Sequence, residues 1–464
     1  MLCAVELGRQ EENVMANRLA RRGLTRRSLI QTTAIAGAAW ATGVGPSLVP
    51  RPARAAAKKL KILQWSHFVP AYDVWFNTQH IKKWGAKNDT EVTVDNINNT
   101  LIPSRAAAEV AAQKGHDLVM FLSPPSVYED QVVDLKDVYA ECENKHGKAI
   151  DLAVKSTFNP RTKKYFAFSD SYVPDPINYR SDLWSEIGMV PNTWDDVRVG
   201  GRKIKEKHGI PVGIGLSAEL DTAMAMRAIM YAFGSHEQDA EGRLAIKSKE
   251  TLDAIKFVKA LYQETETPEV MSWDPSSNNR QMLAGRSSLI LNAISVTREG
   301  ENKKLPIHEK IALAKAAQGP AKRIGLEHVM SCYVVWKFAE NIDGAKKFLV
   351  DYIDNFHQAF TASEFYNFPC FTDTVPDLKQ LIGNDPKAAP HNKYAVLGDV
   401  LDWATNVGYP GYASAAIDET FSTWVINTMF ARAATGAETP ENALNQAEAA
   451  MKDNWDKWHQ RGMI

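Results

Sequence analysis

Asp117-Leu118-Val119-Met120-Phe121-Leu122, closed by Ser123-Pro124-Pro125, is an uninterrupted apolar run ended by turn residues. Such a run suits a strand covered on both faces, because neither face alternates with polar side chains. Reading backwards, Ser104 to Lys114 is Ala-rich and helical, and Glu91-Val92-Thr93-Val94 alternates as a strand does. Ala71 to Lys87 is helix-like, and Leu60-Lys61-Ile62-Leu63 leads into Trp65 as a short apolar strand. This β-α-β-α-β order predicts parallel strands with helices on both faces, an α/β fold.

Reading forwards, Lys164-Tyr165-Phe166-Ala167-Phe168 is another strand, entering Ser169-Asp170-Ser171-Tyr172-Val173-Pro174-Asp175-Pro176. The closely spaced prolines hold this segment extended, which reads as a crossing between two lobes. Thr193 is a good helix N-cap, and Asp195 and Asp196 fall in the first turn, where the helix dipole favours them. Leu252, Ile255, Val258 and Tyr262 share one helical face, as do Ala345, Phe348, Leu349, Tyr352 and Phe356. Met282 to Asn292 reads as a helix end, a turn and a strand. Thr439-Pro440 opens a last helix whose stripe is Leu444, Ala447, Met451, Trp455 and Trp458.

The N-terminal segment is different. Arg18, Arg21, Arg22, Arg26 and Arg27 form a basic head, and no charge follows from Ser28 to Pro50. Thr25-Arg26-Arg27-Ser28-Leu29-Ile30 followed by Ala53-Arg54-Ala55 reads as a twin-arginine export signal over residues 1–55 with a cleavage site at Ala55. The run is too mildly apolar for a stable membrane-spanning helix. A mature chain from Ala56 would hold 409 of the 464 residues, with 46 basic against 52 acidic side chains, a net charge of −6. That balance argues against a nucleic-acid partner, and the length favours two or more folding units. Cys142, Cys332 and Cys370 remain, enough for one bridge at most; Cys332–Cys370 is left open.

Four segments together resemble the extracellular solute-binding proteins of ATP-driven (ABC) importers, family 1, the branch that includes maltose- and oligosaccharide-binding proteins. They are Asn178 to Trp184 with Gly188 and Pro191 to Asp196; Met282 to Asn292; Val334-Val335-Trp336 to Phe348-Leu349; and Thr439-Pro440-Glu441-Asn442-Ala443-Leu444. They run in family order over most of residues 59–458. Two places depart from the pattern: Ala293-Ile294-Ser295 stands where sugar binders often carry Gly-Pro-Trp, and His328-Val329-Met330-Ser331 stands where a glycine pair is usual. The resemblance implies a two-lobed α/β fold of type II, with mixed sheets flanked by helices. It implies an N-terminal lobe of residues 58–172 and 310–358 and a C-terminal lobe of 176–300 and 365–464. Hinges would lie near 170–177, 295–310 and 358–366. It further implies a periplasmic, monomeric receptor that closes about a small solute, a sugar or oligosaccharide, and delivers it to a permease in the inner membrane. No cofactor, metal or catalytic residue is expected.

Ligands of open α/β sheets sit beyond the carboxyl ends of strands. Trp65 and His67 in the loop after the first strand, and Ser123 after the third, are therefore candidate ligand contacts. So are Tyr172 and Asp175 in the crossing, Trp273 in a polar loop, and Asn292 at a strand end. The segment Trp403 to Tyr412 contributes Trp403, Tyr409 and Tyr412, whose flat rings suit the C–H face of a sugar. Each of these residues also fits a packing role. Competing functions are a twin-arginine-exported enzyme, a ligand-binding sensor and a binder of a polyol or polyamine. The enzyme lacks a supporting motif: no G-x-G-x-x-G after a strand, no Walker loop, no metal-ligand spacing and no G-x-S-x-G is present.

Overall fold

The computed structural model describes residues 58–464, so the twin-arginine segment and the Ala53-x-Ala55 site lie outside the described residues. These residues form two α/β lobes with separate hydrophobic cores. The first lobe opens with β1 (Lys58–Trp65), β2 (Thr90–Ile97), β3 (Leu118–Phe121) and β4 (Phe168–Pro174). The chain then enters the second lobe through β5 (Ile177–Arg180), β6 (Val212–Gly213), β7 (Leu289–Leu291) and β8 (Ile311–Ala314). It returns as β9 (Gly325–Val335), continues to β10 (Phe368–Pro369), and crosses again after β11 (Ala404–Thr405).

The first sheet has the order β10-β4-β9-β3-β1-β2, with β11 beside the start of β9; the second has the order β8-β5-β7-β6. As the sequence predicts, β1 pairs in parallel with both β2 and β3, in register from Lys58↔Thr90 to Trp65↔Ile97. β9 runs antiparallel to β3 and β4, which makes the sheet mixed. The strand expected over Lys164–Phe168 is split. Lys164–Tyr165 pairs with Phe158–Asn159, while Phe166 and Ala167 turn into the core before β4 begins.

The helices that matter for the site are α1 (Ile102–Ala112), between β2 and β3, and, in the second lobe, α2 (Trp194–His208), α3 (Leu220–Ala232), α4 (Lys249–Thr265) and α5 (Ser277–Leu283). They are followed by α6 (Ser295–Asn302), α7 (Ala415–Ser422), α8 (Val425–Thr435) and α9 (Pro440–Gln460). Local chemistry sets their ends. At α2 the Thr193 hydroxyl accepts from Asp196 N (3.0 Å) and the Asp196 carboxylate accepts from Thr193 N (2.9 Å), a reciprocal capping box. Along α9, Leu444, Ala447, Met451, Trp455 and Trp458 are all buried, the stripe expected from their spacing. Among the described residues, no helix is long and apolar enough to cross a membrane.

The later part of the chain is divided between the cores differently from the expectation. Tyr366, Phe368, Phe371, Tyr394 and Trp403 belong to the first core, not the second. The cause is that β10 adds to the free edge of β4 and carries the following segment with it. The chain therefore passes between the two cores at Asp175-Pro176, between β8 and β9, and after β11. The three cysteines are free and buried, so the Cys332–Cys370 bridge left open above is not formed.

α6 is fastened across to the first lobe's later segment by a buried charge network. Arg298 pairs with Glu301 (3.0 Å) and with Asp385, and its guanidinium lies 4.0 Å from the Tyr394 ring centroid. Removing the cation leaves the buried Asp385 without a counter-charge, while Glu301 keeps Lys393 at 3.3 Å. Arg298→Ala is expected to lower unfolding free energy by about 3–5 kcal/mol. Urea unfolding should show a lower midpoint with an unchanged slope.

Candidate functional site

A cavity of about 220 Å³ opens between the lobes. The first lobe contributes Asn99, Thr100, Ile102, Phe121, Leu122 and Ser123, from the carboxyl ends of β2 and β3 and the start of α1. The second lobe contributes Ala218, Glu219, Leu220, Pro275, Phe421 and Trp424. Its volume is below the roughly 300–1,000 Å³ usual for drug-sized ligands, so it suits a small solute. A larger groove of about 610 Å³ beside Tyr172 and Phe368 is lined by Tyr172 and the segment from Phe368 to Asp402, all on the first lobe's side. Lobe closure cannot act on a ligand held there.

The aromatic wall of the gap is built by an unusual turn. Trp424 joins α7 to α8 with φ +58°, in the left-handed region that costs a bulky residue of order 1–3 kcal/mol. Its ring lies 6.0 Å from that of Phe421, and the Arg227 guanidinium lies 4.8 Å from the Phe421 ring centroid. Arg227 is itself fully buried and held by Glu237 (2.9 and 2.7 Å). The facing loop is equally fixed. Glu219 caps α3, accepting from Asp221 N (2.7 Å) and Thr222 N (2.5 Å), and the Asn427 amide donates to the Ser217 and Glu219 carbonyls (2.8 and 3.0 Å).

Next in the chain to Glu219 and Leu220 begins a buried polar cluster whose side chains are not among those that line the gap. Asp221, in the first turn of α3, accepts from Asn278 (2.5 Å). Its other oxygen lies 3.6 Å from His328 Nε2, while His328 Nδ1 lies 3.3 Å from an oxygen of Asp175. His328 is on β9, two residues from Met330, whose N–H donates to the carbonyl of the gap residue Leu122 (3.1 Å). Burial opposes the imidazolium, but the charges of Asp221 and Asp175 more than offset it and raise His328 to about 9. Burial also pushes the Asp221 and Glu219 carboxyls up. The Tyr366 hydroxyl, fully buried, has no hydrogen-bond partner; its ionisation is suppressed by burial and by the nearby charges of Asp221 and Asp175.

The expected site residues divide. Ser123 lines the gap. Asp175 joins the buried polar cluster, and Asn292 reaches it indirectly, donating to Asn278 (3.4 Å) and Asn279. Trp65 and His67 pack against Tyr366 at 6.3 and 5.0 Å between ring centroids. His67 accepts from Val69 N (2.9 Å), and burial lowers it to about 4, so it is neutral at physiological pH. The other five lie elsewhere. Tyr172 faces the outer groove against Phe368, and Trp273 packs on the second core, its carbonyl accepting from Ser217 (2.7 Å). Trp403 is in the first core, the Tyr409 hydroxyl accepts from Lys322 (2.8 Å), and Tyr412 packs edge-on against Phe158. Clustered aromatics signalled burial, and nothing in their spacing said on which surface. Trp424, Phe421, Asp221 and Tyr366 were not anticipated; only the unusual His328 segment carried a sequence signal. Among the described residues, no group of His, Cys, Asp or Glu side chains is arranged to hold a metal ion.

Comparison with known proteins agrees with this fold. The profile of the family described as bacterial extracellular solute-binding protein matches residues 75–353. Maltose-bound MalE3 of T. maritima is 20% identical, with a TM-score of 0.71 covering 85% of this chain and 99% of that one. A sugar transporter from Arthrobacter chlorophenolicus A6 with bound laminaribiose is 18% identical, with a TM-score of 0.69 and coverage of 85% and 99%. A solute-binding protein from Agrobacterium radiobacter K84 in complex with ribitol is 16% identical, with a TM-score of 0.67 and coverage of 85% and 98%. At these identities the likeness is one of fold. A comparison with curated protein sequences found no match.

The raised His328 has a direct consequence for stability. A group whose folded pKa exceeds its unfolded value stabilises fully below the unfolded value, near 6.5, and loses that contribution as pH rises through about 9. The raised Asp221 and Glu219 carboxyls shift stability in the same sense. Unfolding free energy is expected to fall by about 3 kcal/mol more between pH 6.5 and 9.5 in the native protein than in His328→Gln. Urea titrations across that range would measure the difference; equal slopes would refute the pairing.

Proposed function

The chain belongs to the family of bacterial extracellular solute-binding proteins, and from that premise we propose a periplasmic receptor for a small carbohydrate. The receptor captures its solute between the lobes and presents it to the permease of an ABC importer in the inner membrane. The observation that carries this reading is a gap bounded by both lobes, with Phe421 and Trp424 on one side and Asn99, Thr100 and Ser123 on the other. A flat ring offers an apolar surface to the C–H face of a sugar, while amides and hydroxyls reach its hydroxyl groups. A solute touching both walls gains contacts that only the closed form can make, and so shifts the population towards closure. No bond is made or broken in that cycle. The twin-arginine segment delivers the chain to the periplasm, where it acts as a monomer.

The test is a calorimetric titration of the exported protein with neutral and amino forms of mono- and disaccharides and with alditols, paired with small-angle scattering. A bound solute is expected to reduce the radius of gyration. Trp424→Ala should bind that solute at least tenfold more weakly, about 1.4 kcal/mol, with the fold intact by circular dichroism. Absence of binding across the whole panel, or turnover of any member, would end this reading.

A further inference from the structure

Within the receptor reading above, on which this inference rests, the gap is poor in groups that can meet a charged or evenly hydroxylated solute. Apart from Asn99, Thr100, Ser123 and Glu219, its lining side chains are apolar or aromatic. Glu219 is the one ionisable group among them, and it is already engaged. Its carboxylate accepts from Asp221 N, from Thr222 N and from the Thr222 hydroxyl as the cap of α3. The Arg227 guanidinium beside Phe421 is paired with Glu237 (2.7 Å). The Asn99 side-chain oxygen accepts from Thr100 N (3.0 Å), and the Thr100 hydroxyl donates to Asn98 (2.8 Å). Among the described residues, the Asn99 amide nitrogen and the Ser123 hydroxyl have no hydrogen-bond partner, and the Thr100 hydroxyl can still accept. These three groups all belong to the first lobe. The facing wall of Ala218, Leu220, Pro275, Phe421 and Trp424 offers a single side-chain donor, the Trp424 indole N–H.

The two walls therefore ask for different faces of one solute. A hydroxyl turned to the second wall leaves water and finds no partner there, which opposes binding. A C–H face or a methyl group in the same place gains from burial. A charged sugar would bury its charge without a counter-charge. We propose that the solute is an uncharged 6-deoxyhexose, a single ring whose hydroxyls meet Asn99, Thr100 and Ser123 and whose methyl-bearing edge lies on Leu220, Phe421 and Trp424. The gap volume of about 220 Å³ suits one such ring. A hydrophobic surface rejects an added hydroxyl only moderately, by about a hundredfold. The preference over the fully hydroxylated hexose is accordingly expected between about tenfold and a hundredfold.

The experiment compares matched sugars on the exported protein by calorimetry at pH 7: L-fucose against L-galactose, D-fucose against D-galactose, and L-rhamnose against L-mannose. D-galacturonate and D-galactosamine serve as charged members. At least one 6-deoxy sugar is expected to bind ten times or more tightly than its hydroxylated partner and than either charged sugar. Leu220→Ser places a hydroxyl on the apolar wall and should shrink that ratio at least threefold. Ser123→Ala should weaken both members of the pair alike, because the hydroxyls it meets are common to both. A hydroxylated or charged sugar bound as tightly as every 6-deoxy sugar would overturn the inference and leave the receptor reading intact. Binding of other sugars or alditols with none of the 6-deoxy sugars bound would do the same. Absence of binding by every carbohydrate would overturn the inference together with that reading. A ratio unchanged in folded Leu220→Ser would show that the apolar wall does not set the preference and would overturn it. Should that variant not fold by circular dichroism, the matched pairs on the unaltered protein decide the question alone.

Discussion

β9 is the constraint on which the two-lobed arrangement depends. It pairs with β3 on one side and β4 on the other, and β11 joins its first residues. The three passages of chain between the lobes are thereby part of one hydrogen-bonded ribbon. Paired strands keep a fixed spacing near 4.8 Å and cannot slide without losing their register. The few residues beside the ribbon, such as Asp175-Pro176, carry no ladder of their own.

β9 also explains why charge is buried where the lobes meet. Successive side chains of a strand point to opposite faces. Glu327 accepts from Val407 N (3.2 Å), just past the third crossing, while His328 turns the other way, towards Asp175 at the first crossing and Asp221 on α3. Two adjacent residues thus tie the ribbon to both of its neighbours. A buried charge costs several kcal/mol unless it is matched, so these contacts select one relative placement of crossing, strand and helix. An all-apolar strand would pack as well but would discriminate less between registers.

Elements set by local periodicity were legible in the sequence. β1, β2 and β3, the capping box at Thr193, and the buried stripe of α9 follow from spacing and caps alone. β9 was legible only in its later half, because Glu327, His328 and Ser331 interrupt the apolar pattern, and their burial depends on partners far away in the chain. The lobe assignment of residues 366–403 was illegible for a similar reason: composition does not change there, and the decision is made by β10 finding the edge of β4. Ser123 could be placed beside the gap and Asp175 at a crossing because strand ends and crossings are topological features. Trp424 was not. No glycine or proline marks the boundary between α7 and α8, and it is the left-handed backbone of Trp424 that separates them beside the gap.

The gap and the buried charges beside it enter closure differently. Phe421, Trp424 and Leu220 favour removal from water whatever the ligand, at roughly 25 cal/mol for each Å² of apolar surface covered. Asp175, His328 and Asp221 are closed to solvent and lie against one another, at 3.3 and 3.6 Å, so they fix crossing, strand and helix rather than respond to a solute. A ligand shifts an equilibrium only by its differential affinity for the two states. An apolar wall alone distinguishes poorly between solutes of similar shape that offer it the same face, so discrimination between them falls to the polar groups of the opposite wall, Asn99, Thr100 and Ser123, which act together with the aromatic rings only where both walls bound the gap.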